Sequence, residues 1–224
     1  MSAGLTLEPS THVYRLGATV VPGVSEILEA LGFNDFVHVD PATLAEKRAL
    51  GQRVHLATAY HDRGTLDYAS VDHAVLPYVQ SWRKFRGDFR GELVAIETPL
   101  YDPVLNCAGT PDRIFAHTGV ARTRGSLIDL KIGVYLPKHR LQSAAYVHMW
   151  NEQGKGTRVT SRATCYLDPH GFYTLIWHED LAGDLAAFAA ARQLYEWRKK
   201  YVRAAPQGDP DRRREVDERT TDAS

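Results

Sequence analysis

The chain has 224 residues, 44% hydrophobic and 24% charged, with 27 basic side chains balanced by 27 acidic ones. This is the composition of a globular protein with one sizeable core, and no apolar run is long enough to make a helical membrane span. A formal net charge of zero excludes nucleic-acid recognition by bulk charge, so any such surface must come from local clusters.

The first residues, Met1 to Pro9, show neither a basic n-region nor an apolar h-region. A secretory leader is therefore not expected, and a cytoplasmic location is. Residues 11–21 read as a short hairpin that Pro22-Gly23 breaks. Ser25 to Leu31 reads as a short helix ending at Gly32. Asp40 as N-cap and Pro41 at the first helical position open a second helix, which Gly64 stops after about Arg63. A third helix spans about 72–87, with Val75, Val79, Trp82 and Phe85 or Phe89 at helical spacing. Pro77 makes its start irregular.

From Leu93 the hydrophobic period changes. Residues 93–101, 106–116 and 124–132 read as three strands, with turns at Asp102-Pro103 and from His117 to Gly119. A helix follows from about Lys138 to Glu152, closed by Gly154. Strands near 158–167 and 172–177 are joined by Asp168-Pro169-His170-Gly171. The last helix runs from about Asp180 to Val202, with Leu181, Leu185, Phe188, Ala189, Leu194 and Trp197 on its apolar side. Beyond Pro206 the sequence is polar and charged, and it reads as a disordered tail. Its acids exceed its bases, so the body without it carries about +2. The order predicts an α/β fold with a mixed central sheet flanked by helices. Residues 1–205 form one domain: 1–90 are mainly helical, and 91–205 hold the sheet core and C-terminal helices. Residues 206–224 form the tail.

The chemistry concentrates between Gly109 and Lys131. The chain reads Gly-Thr-Pro-Asp-Arg-Ile at 109–114 and Leu-Ile-Asp-Leu-Lys at 127–131. On a strand, Asp129 and Lys131 share one face, and Ile128 and Leu130 point into the core. A carboxylate at Asp129 is costly to bury unless it is paired or bound to a metal. Lys131 as a plain salt-bridge partner is the competing explanation, as a turn aspartate is for Asp112. Two carboxylates brought close repel each other, and a divalent cation relieves the repulsion. With a lysine beside them they are a minimal kit for metal-assisted phosphodiester hydrolysis. Gln142 and Tyr146 stand four apart on one helix face, and His55 lies within the second helix.

In this order, histidine, Pro-Asp, Asp-x-Lys and Gln-x-x-x-Tyr, the sequence resembles the PD-(D/E)xK superfamily in its RecB-type nuclease branch. The motifs run from His55 to Tyr146, and the opening segment from His12 to Leu28 is similar to that of small phage-encoded members. The resemblance implies a restriction-endonuclease-like core. It implies that His55, Asp112 and Asp129 are metal ligands, with the backbone carbonyl of Leu130 as another. Asp112, Asp129 and Lys131 would be catalytic, with Lys131 orienting or helping to deprotonate the attacking water. Gln142 and Tyr146 would support the site and contact the DNA backbone. Glu97 stands where relatives often carry an acid, and an ordinary surface glutamate is the competing reading.

The implied cofactor is Mg2+ or Mn2+. The two cysteines, Cys107 and Cys165, show no CxxC pattern. They support no iron–sulfur cluster, zinc site or disulfide framework, so the resemblance is to members without the cluster. No Gly-x-x-x-x-Gly-Lys-Ser/Thr loop is present, so ATP is not expected. Arg53 and Arg113, with Arg122, Arg124, Lys138, Arg140 and, further off, Arg83, Lys84 and Arg86, are the candidate phosphate contacts. Trp82, Trp150 and Trp177 could stack on unpaired bases, although core packing explains most aromatics. The expected activity is a metal-dependent DNA exonuclease, phage-encoded, in recombination, repair or replication. Its partners are DNA as single strands or duplex ends and a recombination or replication protein, and a membrane is not among them. The alternatives are a structure-specific endonuclease on the same site and a non-catalytic DNA-binding subunit that keeps the fold. Polarity and oligomeric state are open at this level.

Overall fold

A computed structural model describes residues 4–8, 11–33, 39–118 and 123–202. The expected charged tail and Arg122 lie outside the described residues. The described chain is mixed α/β. A small antiparallel sheet of β1 (Leu5–Glu8), β2 (Val13–Leu16) and β3 (Thr19–Val21) leads into the helix α1 (Val24–Ala30). The hairpin β2–β3 is as expected, and β1 adds a strand to it. Two longer helices follow, α2 (Pro41–Asp62) and α3 (Leu76–Asp88). The main sheet has the order β10 (Tyr173–Trp177), β9 (Arg158–Leu167), β8 (Arg124–Ile132), β7 (Arg113–His117), β4 (Gly91–Ile96). Only β8 and β9 run parallel, because the helix α4 (Lys138–Glu152) connects them as a crossover. The helix α5 (Leu181–Tyr201) ends the described chain.

Local signals account for several boundaries. The Asp40 carboxylate accepts from Thr43 N at 2.9 Å, which caps α2, and Pro41 occupies the first turn. Gly64 ends the helix at φ +70. The third helix starts later than the periodicity predicts, at Leu76, after a short 3-10 helix at Tyr68–Ser70. Pro77 therefore sits in the first turn, where no hydrogen bond is lost.

The expected strands 93–101 and 106–116 each divide in two. Glu97 at φ +44, followed by Thr98-Pro99, ends β4. The chain then folds β5 (Leu100–Asp102) onto β6 (Cys107–Gly109) as a separate hairpin. Thr110-Pro111 interrupts the pairing again before β7, since proline offers no N–H to a ladder.

The alternation along the strands sorts the core into two layers. Ile114 and Leu127 pack with Ile27, Leu28, Val147 and Phe188 under α1, α4 and α5. Phe115, Ile128 and Leu130 pack with Val54, Val79, Trp82 and Phe85 under α2 and α3. Asp129 and Lys131 thus point toward the α4 side, one residue out of phase with the apolar positions Ile128 and Leu130. On α5 the buried positions are Phe188, Ala191 and Arg192, whereas Leu194 and Trp197 are about half exposed, contrary to the predicted stripe. Arg192 takes the inward place and donates to Asn106 O at 3.0 Å, which turns the last apolar residues outward. Among the described residues no helix is long and apolar enough to cross a membrane.

Candidate metal centre

The two breaks in the strands build the site. Asp112 lies just ahead of β7, and its Oδ2 accepts from Leu130 N at 2.6 Å, so it is clamped to the neighbouring strand. Its other oxygen, Oδ1, stands 3.1 Å from His55 Nδ1. Glu97, at the end of β4, donates its N–H to Asp112 O at 2.9 Å. Its carboxylate Oε1 reaches within 3.6 Å of the same His55 nitrogen. His55, Glu97 and Asp112 thereby offer ligand atoms that all lie within 4.8 Å of one another. One imidazole and two carboxylates, held on three separate elements, are a donor set that fits a divalent cation.

The electrostatics show the tension in this arrangement. Burial alone would lower the pKa of His55, yet the facing carboxylates of Asp112 and Glu97 push it up to about 10. Burial works against the ionised form of Asp112 as well. His55, Lys131 and Arg113 outweigh it and hold Asp112 well below the usual carboxylate range. A metal ion held by this cluster would have to displace the histidine proton.

Asp129 belongs to a second, adjacent pair. It is buried, and Lys131 Nζ lies 2.6 Å from its Oδ2, outside hydrogen-bonding alignment. Desolvation and the nearby Asp112 charge raise Asp129 to about 6 in spite of the lysine. Burial lowers the Lys131 pKa, but Asp129, Asp112 and Glu97 more than reverse that and raise it. Lys131 Nζ also donates to Leu130 O at 3.1 Å, so the lysine engages the carbonyl expected to be a ligand. The expected ligand set is therefore divided. His55 and Asp112 converge, Glu97 joins them as a full member, and Asp129 stays with Lys131 outside the three-residue cluster.

The supporting residues also differ from expectation. Gln142 and Tyr146 are buried, and Gln142 Nε2 donates to Tyr146 OH at 3.0 Å and to Ser25 Oγ at 3.2 Å. They tie α4 to α1. Gly109 makes this packing feasible: a Cβ there would stand 2.3 Å from Tyr146 Cε1.

Arg113, expected as a phosphate contact, has 0% exposure and is bound on every side by protein groups. Its carboxylate partner Asp62 and the neighbouring Thr58 were not singled out from the sequence. Their spacing from His55, three and seven residues along α2, is the signal that could have found them. Arg53 is half exposed, and Asp72 pairs with it at 2.5 Å. Lys84 pairs with Asp88, and Arg86 with Asp62. Arg140 holds Asp184, whereas Arg124 is exposed. Trp82 and Trp150 are core residues, and only Trp177 of the three tryptophans considered for base stacking is substantially exposed.

Compared with known proteins, the chain matches no family model and no curated sequence.

Proposed function

We propose that this protein is a divalent-metal-dependent deoxyribonuclease of the PD-(D/E)xK type, with a restriction-endonuclease-like core, that hydrolyses DNA from its ends. One observation carries the reading: His55, Glu97 and Asp112 converge within 4.8 Å next to an Asp129–Lys131 pair that shares Leu130 with Asp112. A structural salt bridge explains the pair alone. It does not explain two further acids aimed at one histidine nitrogen. The mixed five-stranded sheet with helices on both faces supports the same reading.

Mg2+ or Mn2+ suits the two carboxylates, and the imidazole favours Mn2+ of the two. Such a cation supplies Lewis-acid stabilisation of the charge that develops on the scissile phosphate. His55 must lose its proton to serve as a ligand. Lys131, with its pKa raised, is an ammonium at neutral pH. It acts through charge on the phosphate and by orienting water.

The test is digestion of end-labelled single-stranded and double-stranded DNA with Mg2+ and with Mn2+, with covalently closed circular DNA alongside. Loss of label from linear DNA only, abolished in Asp112→Asn, is the expected result. Digestion that Asp112→Asn leaves intact, or none by the wild-type protein with either metal, would refute the proposal. Cutting of the closed circle would assign an endonuclease to the same site.

A further inference from the structure

The inner face of α2 carries more than a ligand. His55, Thr58 and Asp62 stand three and four residues apart in turn, so they line one side of the helix. Opposite them lies Arg113, at the first position of β7. Its guanidinium makes four separate contacts. Nε donates to Asp62 Oδ2 at 2.5 Å, and NH2 donates to Thr58 Oγ1 at 3.1 Å. NH1 donates to Glu97 Oε1 at 3.0 Å and to Asp112 O at 2.8 Å. The Thr58 hydroxyl donates in turn to His55 O at 2.9 Å. Asp62 is braced from behind, since Trp82 Nε1 donates to its Oδ2 at 3.0 Å and Arg86 Nε lies 3.1 Å from its Oδ1.

A buried guanidinium needs a carboxylate to balance it, and Asp62 provides one. The contacts made by NH1 go beyond that need. They fall on the two acidic residues of the candidate metal centre: the carboxylate of Glu97 and the backbone carbonyl of Asp112. Glu97 requires such support. Its backbone is left-handed at φ +44, a conformation that L-residues rarely adopt. Its carboxylate faces the negative charge of Asp112, and its side chain borders solvent, so an unheld Glu97 would swing away from the cluster. The planar fork of arginine fixes a direction as well as a charge, which a lysine ammonium does not.

We propose that Arg113, braced by Asp62, is a positioning residue that aims Glu97 at the cation site and so sets metal affinity. It touches neither the cation nor the DNA. The inference rests on the metal-site reading above, and its test separates the two.

Mn2+ binding to the full-length protein is measured by calorimetry, with a thermal melt of each variant. If the wild-type protein binds no Mn2+, the metal-site reading and this inference fall together before any variant is made. If it binds, Arg113→Lys is expected to weaken Mn2+ by about tenfold or more, the range in which residues that hold metal ligands act. The same change made in a Glu97→Ala background is expected to cost no more than about twofold, because no side-chain acceptor is left at position 97 for Arg113 to aim. Thr58→Val, which removes one acceptor and keeps the side-chain shape, is expected to cost about threefold, again only when Glu97 is present. A purely structural Arg113 would lower the melting temperature and weaken Mn2+ equally in both backgrounds, and that result overturns the proposal. Unchanged affinity in a folded Arg113→Lys protein overturns it too. If Arg113→Lys does not fold, Thr58→Val in the two backgrounds decides by the same rule.

Discussion

Arg113 and Arg162 are both enclosed by protein, and the clusters they centre differ in one respect. Arg162, on β9, donates NH1 to Arg140 O at 2.6 Å and to Ser143 Oγ at 2.9 Å, and NH2 to Asp180 O at 2.9 Å and to the Asp184 carboxylate. Arg140 takes the remaining Asp184 oxygen at 3.2 Å. Both oxygens of that carboxylate face a guanidinium, so the acid of this cluster is fully paired and only Arg162 Nε lacks an aligned partner among the described residues, and the cluster joins α4, β9 and the start of α5. The cluster around Arg113 is open. Asp62, Glu97, Asp112 and Asp129 meet Arg86, Arg113 and Lys131. That leaves a negative charge for His55 to offset as a cation, or for a metal to offset in its place. Asp129 Oδ2 has no aligned hydrogen-bond donor among the described residues. The cluster with the paired acid does what a salt bridge does for a fold. The open one holds acids together at a cost that a bound cation would remove.

The contrast can be broken at either end. Arg162→Met leaves Asp184 half-paired and should destabilise the fold by about 3–5 kcal/mol, the cost of removing one partner of a buried pair. Urea unfolding measures this, and Mn2+ affinity should stay within about twofold in the folded protein. A large loss of metal affinity there would mean that the two clusters are not separate. Lys131→Ala should act on the chemistry as well as the fold. DNA cleavage falls by at least ~10²-fold, corresponding to about 3 kcal/mol of transition-state stabilisation, and urea unfolding should show a loss of stability too, because the buried Asp129 carboxylate loses its partner. A variant that digests DNA at the wild-type rate would return Lys131 to the role of a structural counter-ion.

The proton on His55 gives a third, smaller effect. Its folded pKa, pushed up to about 10, lies above the ordinary value near 6.5. The stability it contributes is complete below that ordinary value and is lost as pH rises through about 10. Metal affinity moves the other way. Between pH 7 and 9 it should rise by at most about tenfold per unit, since one proton leaves for each cation bound. His55→Gln should flatten that rise, and a wild-type profile that is already flat would separate the histidine from the cation. The smallest effect is expected at Trp197, exposed on α5. Trp197→Ser should change stability by no more than about 0.5 kcal/mol, and a larger loss would mean that this ring is covered in solution.

The elements that local signals determine were legible from the sequence. Asp40-Pro41 opens α2 as expected, α4 has the predicted bounds, and the in-out parity of Ile128 to Lys131 is the one that strand geometry demands. Failures occurred where a distant residue decides. Arg113 looks like a surface cation until Asp62, 51 positions earlier, is folded against it. Glu97 looks like a strand glutamate because its neighbours give no sign of a positive φ beyond Pro99, two residues later. Glu97 joins His55 and Asp112 because the break after β4 swings it in, while Asp129 lies beside Lys131. On α5, hydrophobicity marked Leu194 and Trp197 as inward, but the inward position goes to Arg192, whose carbonyl partner Asn106 lies in another hairpin.

Gly109 shows what an absent atom contributes. With no methyl group there, the Tyr146 ring lies against the β6 backbone, and α4 settles deep enough for Gln142 to reach Ser25. The glycine that opens Gly-Thr-Pro-Asp is thus a clearance that sets the depth of a helix. A saturation screen at this position should tolerate nothing larger than hydrogen, although the residue carries no chemistry of its own.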